Sequence, residues 1–317
     1  MCTGVRFSDT KGNMYFGRNL DWTVSYGQEI VITPRKFKWK TGFLGEMQTK
    51  YALIGMAIVE ENTPLYFDCA NEAGLGVAGL NFPGYAFYEK EAVKNKTNVA
   101  AYEFPLWVAA NFKTVDEVEE ALKNTVIVAK PINEKFPVSM LHYIIGDATR
   151  SIVVEYTERG MEVFHNDVDI LTNQPGYAWH KENLRNYMNL DPAMPAKIDW
   201  NKAEMTAFGS GSMMRGLPGD YYAPSRFVRA AYLNTHYPTK STEAENVMRL
   251  FHTLNSVAMI DGAAIAADGN FEITIYTSCY SAATKTYYYN TYDNINLKHA
   301  TLTKYDLDGK DLIVVNK

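Results

Sequence analysis

The chain is predicted to fold as a layered α+β protein, with two antiparallel sheets and helices segregated from them. Three observations predict this. Strand patterns fill the first third, helix patterns follow, and strands return on both sides of a second helical stretch, so the alternation of a parallel sheet is missing. Of 317 residues, 47% are hydrophobic and 21% charged, which allows a large core and excludes wholesale disorder. No repeat, low-complexity stretch or linker divides the chain, so residues 1–317 read as one domain, although length alone suggests about two.

The elements follow in order. Residues 2–7 and 14–20 flank the turn cluster Asp9-Thr10-Lys11-Gly12-Asn13, a hairpin signature. Further strands are expected at 29–33, 51–59, 65–69 and 75–81. Residues 102–112 read as a continuous apolar helix with Pro105 in its first turn. Thr114 and Glu117 form a capping box that opens a helix over 115–124, with acids where the helix dipole favours them. Strands are expected at 126–129, 140–145, 152–156 and 161–165, then a helix at 179–188. Two stronger helices run over 224–234 and 242–257, the second opened by a Thr242/Glu245 capping box. The tail reads as strands at 271–280, 285–292, 300–305 and 312–316. Twenty-two tyrosines suggest amphipathic packing surfaces, in strands or around a ligand.

Composition removes several function classes. A net charge of −5 disfavours nucleic-acid binding, whose affinity comes mostly from a basic surface. Three cysteines exclude a disulfide framework and fit a reducing compartment. The apolar run 51–59 is about half the ~20 residues a membrane helix needs, and no signal core of ~7–15 apolar residues opens the chain. A cytoplasmic protein without membrane insertion is expected, and the sequon Asn95-Lys96-Thr97 carries no weight.

Several motifs fail. Gly74-Leu-Gly76-Val-Ala-Gly79 matches the dinucleotide fingerprint but runs into Leu80-Asn81-Phe82-Pro83 instead of a helix, so a glycine-rich strand packed against another layer is expected. Gly209–Gly216 lacks the ending of a phosphate loop and reads as a flexible surface loop. The six histidines form no HExxH pattern and there is no CxxC, so no metal site is expected. His252 lies in an apolar stretch and reads as a core histidine. No GxSxG elbow is present. Arg226 and Arg229, one turn apart, read on pattern alone as a solvated basic face.

The chemistry points to the start of the chain. Methionine removal proceeds when the second residue is small, so the mature chain should begin with Cys2. An α-amine titrates near ~7.7–8.0 and can activate a thiol on the same residue. A retained Met1 would lock that amine in a peptide bond. The hairpin would fold Gly17-Arg18-Asn19-Leu20-Asp21-Trp22 back beside Cys2. Arg18 would then favour a thiolate, and Asp21 could hold an ammonium or a thiol proton.

With these residues the sequence resembles the N-terminal-nucleophile cysteine amidases of the choloylglycine hydrolase family, which includes bile salt hydrolases and penicillin V acylases. The matching stretches are MCTGVRF (1–7), YFGRNLDW (15–22), ITPR (32–35), YFDCANEAGLGVAGLNFPGYA (66–86), DVDILTNQPGYAWHKENLRNY (167–187) and GLPGDYYAPSRFVRAAYLN (216–234), in the family's order. The resemblance implies an αββα sandwich. It implies Cys2 as nucleophile with its own α-amine as base, tuned by Arg18 and Asp21. Asn173 would be the side-chain oxyanion donor, Asn81 the backbone donor, and Arg226 would complete the polar set. It further implies hydrolysis of glycine- and taurine-conjugated bile acids without cofactor. The alternative is penicillin V acylase or another N-acyl amidase activity. The steroid cleft is expected near Leu20, Trp22, Leu65, Ile132 to Phe136 and residues 213–217, and the assembly is expected to be a homotetramer.

Overall fold

The structure, a computed structural model, describes residues 1–315. In chain order the strands of its two large sheets are β1 (Cys2–Ser8), β2 (Met14–Trp22), β3 (Glu29–Thr33), β4 (Leu53–Glu60), β5 (Thr63–Asn71), β6 (Gly76–Asn81), β7 (Leu141–Gly146), β8 (Ser151–Thr157), β9 (Gly160–His165), β10 (Ile170–Leu171), β11 (Ile273–Ser281), β12 (Thr286–Thr291), β13 (Asn294–Thr301) and β14 (Ile313–Val315). The helices are α1 (Phe104–Asn111), α2 (Val115–Leu122), α3 (Tyr177–Asn183), α4 (Ala223–His236) and α5 (Glu243–Asn255).

The first sheet has six strands in the order β10-β1-β2-β11-β12-β13, and the second has eight in the order β9-β8-β7-β6-β5-β4-β3-β14. Neighbours in both sheets pair antiparallel. Strand alternation then builds the layers. Ile30, Ile32 and Ile144 pack in one core cluster with the first sheet, α4 and α5. Their neighbours Val31, Tyr143 and Ile145 pack in the other, with α1 and α2. The result is helices, sheet, sheet, helices: the expected αββα sandwich. All eight residues of α1 are buried, which explains why that segment has no polar face.

The sheets approach closely where side chains are absent. A Cβ on Gly76 would stand 2.7 Å from the Phe16 ring of the other sheet, and within the first sheet one on Gly17 would stand 1.9 Å from the carbonyl oxygen of Ser278 on the neighbouring β11. Gly76 and Gly79 therefore serve packing, Gly74 is a turn residue at φ +93°, and Asn81 is the last residue of the strand that holds Gly76 and Gly79.

Some expectations are corrected. The strand expected at 300–305 ends at Thr301, and Leu302–Lys304 is a 3-10 turn; most of β13 lies ahead of the expected stretch, where it is mostly exposed and shows no apolar alternation. The helix expected at 179–188 starts earlier, at Tyr177, and passes into a 3-10 turn at Leu184–Tyr187. Residues 101–103 are likewise 3-10 ahead of α1. The strand expected at 126–129 forms a separate parallel ribbon, Thr125–Val128 with Thr97–Ala100. Asn316, the end of the last expected strand, lies outside the described residues. His252 is exposed, on the outer face of α5, and is not a core residue. Arg226 and Arg229 are buried, at 0% and 8% exposure, because α4 turns that face onto the first sheet and the α5 terminus. The glycine-rich stretch 209–216 is mostly exposed, as expected. Among the described residues no helix is long and apolar enough to cross a membrane.

Candidate active site

The hairpin does what its sequence predicts. Antiparallel register sets Cys2 opposite Leu20 and Gly4 opposite Arg18. Residues two apart on a strand share a face, so Cys2, Arg18 and Leu20 point to the same side of the sheet. Gly4, with no side chain, lets the second sheet come close instead: a Cβ there would stand 2.9 Å from the Ile144 side chain. The Arg18 side chain is fully buried and spans the gap between the sheets. Its Nη1 donates to the carbonyls of Gly79 (2.6 Å) and Phe67 (3.0 Å), and its Nη2 contacts Cys2 Sγ at 2.6 Å. Burial alone would lower the arginine's pKa, but the Cys2 sulfur and nearby acids outweigh it and raise the pKa. Arg18 is therefore a fixed charge against the sulfur.

Asp21 falls on the opposite face of β2. One carboxylate oxygen accepts from Thr274 Oγ1 at 2.6 Å, and the other is buried without a hydrogen-bond partner. Burial pushes its carboxyl upward, opposed chiefly by Arg226. That arginine comes from the first turns of α4. Its Nη1 donates to the Cys2 carbonyl (2.6 Å) and to Thr3 Oγ1 (2.8 Å), its Nη2 to Asn173 Oδ1 (2.7 Å), and it stands 3.8 Å from the partnerless Asp21 oxygen. Burial pulls the Arg226 pKa down, opposed by Asp21 and Cys2.

Asn173 is delivered by β10, which pairs with β1 through Gly4 and Leu171 and so ends beside Cys2. The Cys2 backbone nitrogen donates to Asn173 Oδ1 at 2.8 Å, and Asn173 Nδ2 donates to the Asn81 carbonyl at 2.7 Å. Met1 extends β1 by one residue. Its ammonium meets the Asp21 carbonyl (2.8 Å) and Glu272 (3.1 Å), and its carbonyl accepts from the Asp21 amide (3.0 Å). The structure thus brings together all six expected catalytic positions: Cys2, Arg18, Asp21, Asn81, Asn173 and Arg226.

The expected cleft residues are less tightly gathered. Leu20 is buried opposite Cys2, and Trp22 is half-buried at the end of the same strand. Leu65 lies on β5 two residues before Phe67, the residue that takes Arg18. Ile132 and Phe136 are half-buried in a loop that Asn133 ties to Glu60 and Glu61 at the β4–β5 turn, 3.0 Å each. Among the described residues no hydrogen bond or ion pair joins Ile132, Phe136 or residues 213–217 to Cys2. Three clefts elsewhere, of about 320 to 660 Å³, do not include Cys2 in their lining.

Sequence reasoning missed four groups here. Asp68 is buried and accepts from Tyr276 (2.5 Å), Tyr287 (2.8 Å) and Ser278 (3.0 Å); burial pushes its carboxyl up, opposed first by Arg18. An acid inside the apolar run Leu65–Cys69 is itself a signal, because a buried carboxylate needs partners. The other three, His142, Glu155 and His180, lie behind Asn173. Among the described residues, no cluster of three or more metal-binding side chains occurs.

The comparisons with known proteins agree with this geometry. The profile of the linear amide C–N hydrolases, choloylglycine hydrolase family, matches residues 2–315. A bile salt hydrolase/transferase from Bifidobacterium longum subsp. longum is 54% identical over 316 residues, covering 99% of each chain. A conjugated bile acid hydrolase from Lactobacillus gasseri is 47% identical over 314 residues, again with 99% of each chain covered. The crystal structure of the C2A mutant of the Clostridium perfringens conjugated bile acid hydrolase superposes with a TM-score of 0.93 at 40% identity, covering 100% of this chain and 97% of that one. On its sequence and its fold, this chain belongs to the choloylglycine hydrolase family of linear amide C–N hydrolases.

Proposed function

We propose that the protein hydrolyses the amide bond of glycine- and taurine-conjugated bile acids, working from Cys2 after Met1 is removed. The observation that carries the mechanism is the convergence of Arg18, Asn173 and Arg226 on Cys2. The relatives' names support the substrate class.

The freed Cys2 α-amine takes the thiol proton, and Arg18 balances the thiolate. Sγ attacks the amide carbonyl carbon. The oxyanion meets the second hydrogen of Asn173 Nδ2, whose first is held by the Asn81 carbonyl, and the Asn81 backbone N–H. The ammonium passes its proton to the leaving nitrogen, the C–N bond breaks, and glycine or taurine departs. Water, deprotonated by the same amine, attacks the thioester; the C–S bond breaks and the bile acid leaves with the thiol restored. Asp21, under the sheet with Arg226, supplies the negative charge that keeps the amine oriented. No step calls for a metal or organic cofactor.

The same reading takes the enzyme as a cytoplasmic homotetramer built from one domain. The exposed Trp200 and Phe208, beside the ribbon Ile198–Trp200 with Ala203–Met205, are surface of the kind that copies of a chain cover. A monomer by light scattering would refute the assembly. For the activity, rates on taurocholate, glycocholate and penicillin V should be compared, with intact mass taken on the active protein. Cleavage of the bile conjugates by a chain one methionine short is expected. Preferential cleavage of penicillin V, or full activity with Met1 retained, would overturn the reading.

A further inference from the structure

Asn173 depends on its side chain for the proposed chemistry, yet the segment that carries it, 172–176, is neither helix nor strand. What holds this segment is a cluster of three buried side chains, none of which is hydrogen-bonded to Cys2. His142, on β7, sends Nε2 to the Thr172 carbonyl at 2.8 Å. A carbonyl can only accept, so Nε2 carries the hydrogen. Its Nδ1 meets Glu155 Oε1 at 3.1 Å, and the same oxygen accepts from the Tyr177 amide at 2.9 Å. His180, on α3, sends Nε2 to the carbonyl of Asn173 itself at 3.0 Å. The two imidazoles therefore grip adjacent carbonyls, and Glu155 ties the far end of the segment at the start of α3.

The cluster is built for rigidity. His142 and His180 are 0% exposed and Glu155 3%. Each ring is clamped by an aromatic face: His142 lies 4.0 Å from Phe82 and His180 4.5 Å from Phe227, both stacked. Gly176 passes so close to Glu155 that a Cβ there would stand 2.9 Å from Oε2. His180 Nδ1 is buried without a partner, so the ring is a one-sided donor, and burial pulls its pKa down to about 4, which keeps it neutral.

We infer that His142 and His180 are positioning residues for Asn173: by fixing the carbonyls of Thr172 and Asn173 they hold Oδ1 on the Cys2 nitrogen and Nδ2 toward the oxyanion. The inference rests on the function proposed above. The two roles act on one side chain, and a displacement of ~1 Å at a reacting group can cost ~100-fold in rate.

The test compares His180→Leu, which fills the space without a donor, with His180→Gln, which keeps one at the Nε2 position, on glycocholate. Leu should lower kcat ~10–100-fold with KM within a few-fold, the size expected when an oxyanion donor is displaced. Gln should restore most of that loss. A double-mutant cycle with Asn173→Ala guards against a variant that merely loosens the fold. If His180 acts through Asn173, His180→Leu should cost less than ~3-fold once Asn173 is gone. Equal losses for Leu and Gln, an unchanged kcat for Leu, or full additivity with Asn173→Ala would each overturn the inference. A wild type inert on glycocholate would instead refute the substrate reading. The same comparison would then run on penicillin V, where the Asn173 geometry is the same.

Discussion

Arg226→Met tests how the buried charges of the site are balanced. Methionine keeps much of the length but removes the charge and the donors to the Cys2 and Tyr221 carbonyls, Thr3 and Asn173. Asp21 then stays buried with its nearest cation gone. At 3.8 Å and an effective dielectric of ~20, that attraction is about 4 kcal/mol, within the ~3–5 kcal/mol typical of breaking a buried pair. The chain terminus and Arg18 also favour the Asp21 carboxylate, which puts the loss at the lower end, about 3 kcal/mol. At ~2 °C per kcal/mol for a chain this long, Tm should fall ~6 °C at pH 7.5. The pH dependence has a definite sign. Burial already raises the Asp21 carboxyl, and losing Arg226 raises it further. Above the ordinary ~4 and below that raised value, the folded state binds more protons than the unfolded one, so stability falls as pH rises through the window. Thermal melts should therefore show a smaller deficit at pH 5 than at pH 7.5, and adding Asp21→Asn should recover part of it. A Tm shift under ~2 °C at pH 7.5, or a deficit that grows on acidification, would refute the reasoning.

Other outcomes follow from the same structure. Cys2→Ser should abolish amidase activity with an unchanged melt, and iodoacetamide should label Cys2 ahead of Cys69 and Cys279, whose thiols burial pushes well up; mass mapping reads the order. The kcat/KM profile should survive below the ~8.5 of a free thiol, with an acid limb above ~4 because Asp21 is raised, and Arg18→Ala should shift that limb and lower the rate. Gly17→Ala should give insoluble protein, since its Cβ would overlap the Ser278 carbonyl; a soluble variant with native Tm would count against the sheet packing. Thr242→Ala removes the cap on Glu245 N and should cost about 1 kcal/mol, read as ~2 °C in Tm.

Much of this was legible because local rules and the family pattern agree. The Asp9–Asn13 turn fixes the hairpin register, and register alone brings Arg18 to Cys2. The Thr114 and Thr242 caps open helices where expected. What failed depended on neighbours that a sequence does not display. Arg226 and Arg229 look solvated until α4 is laid on the first sheet, and His252 looks internal although its ring faces outward from α5. The histidines that matter, at 142 and 180, gave no pattern, because their partners are backbone carbonyls 30 and 7 residues away along the chain. The two-residue β10 is too short to show periodicity, yet it delivers Asn173.

Met1 sits as an extra rung on β1, bonded to Asp21 and Glu272, with Cys2 beneath it at 3% exposure. Once the sandwich closes, an aminopeptidase has no extended terminus to grip. Two of the groups that close over Cys2 lie far along the chain, however: Asn173 is 171 residues away and Arg226 224. Biosynthesis thus supplies its own delay, since β2 can pair with β1 early but the full enclosure of Cys2 waits until most of the polypeptide has been made. For an enzyme that works from a free Cys2 amine, trimming is a race run on the nascent chain. Overproduction that outruns the cell's aminopeptidase would trap a folded fraction, correctly shaped and permanently inert, alongside the active enzyme.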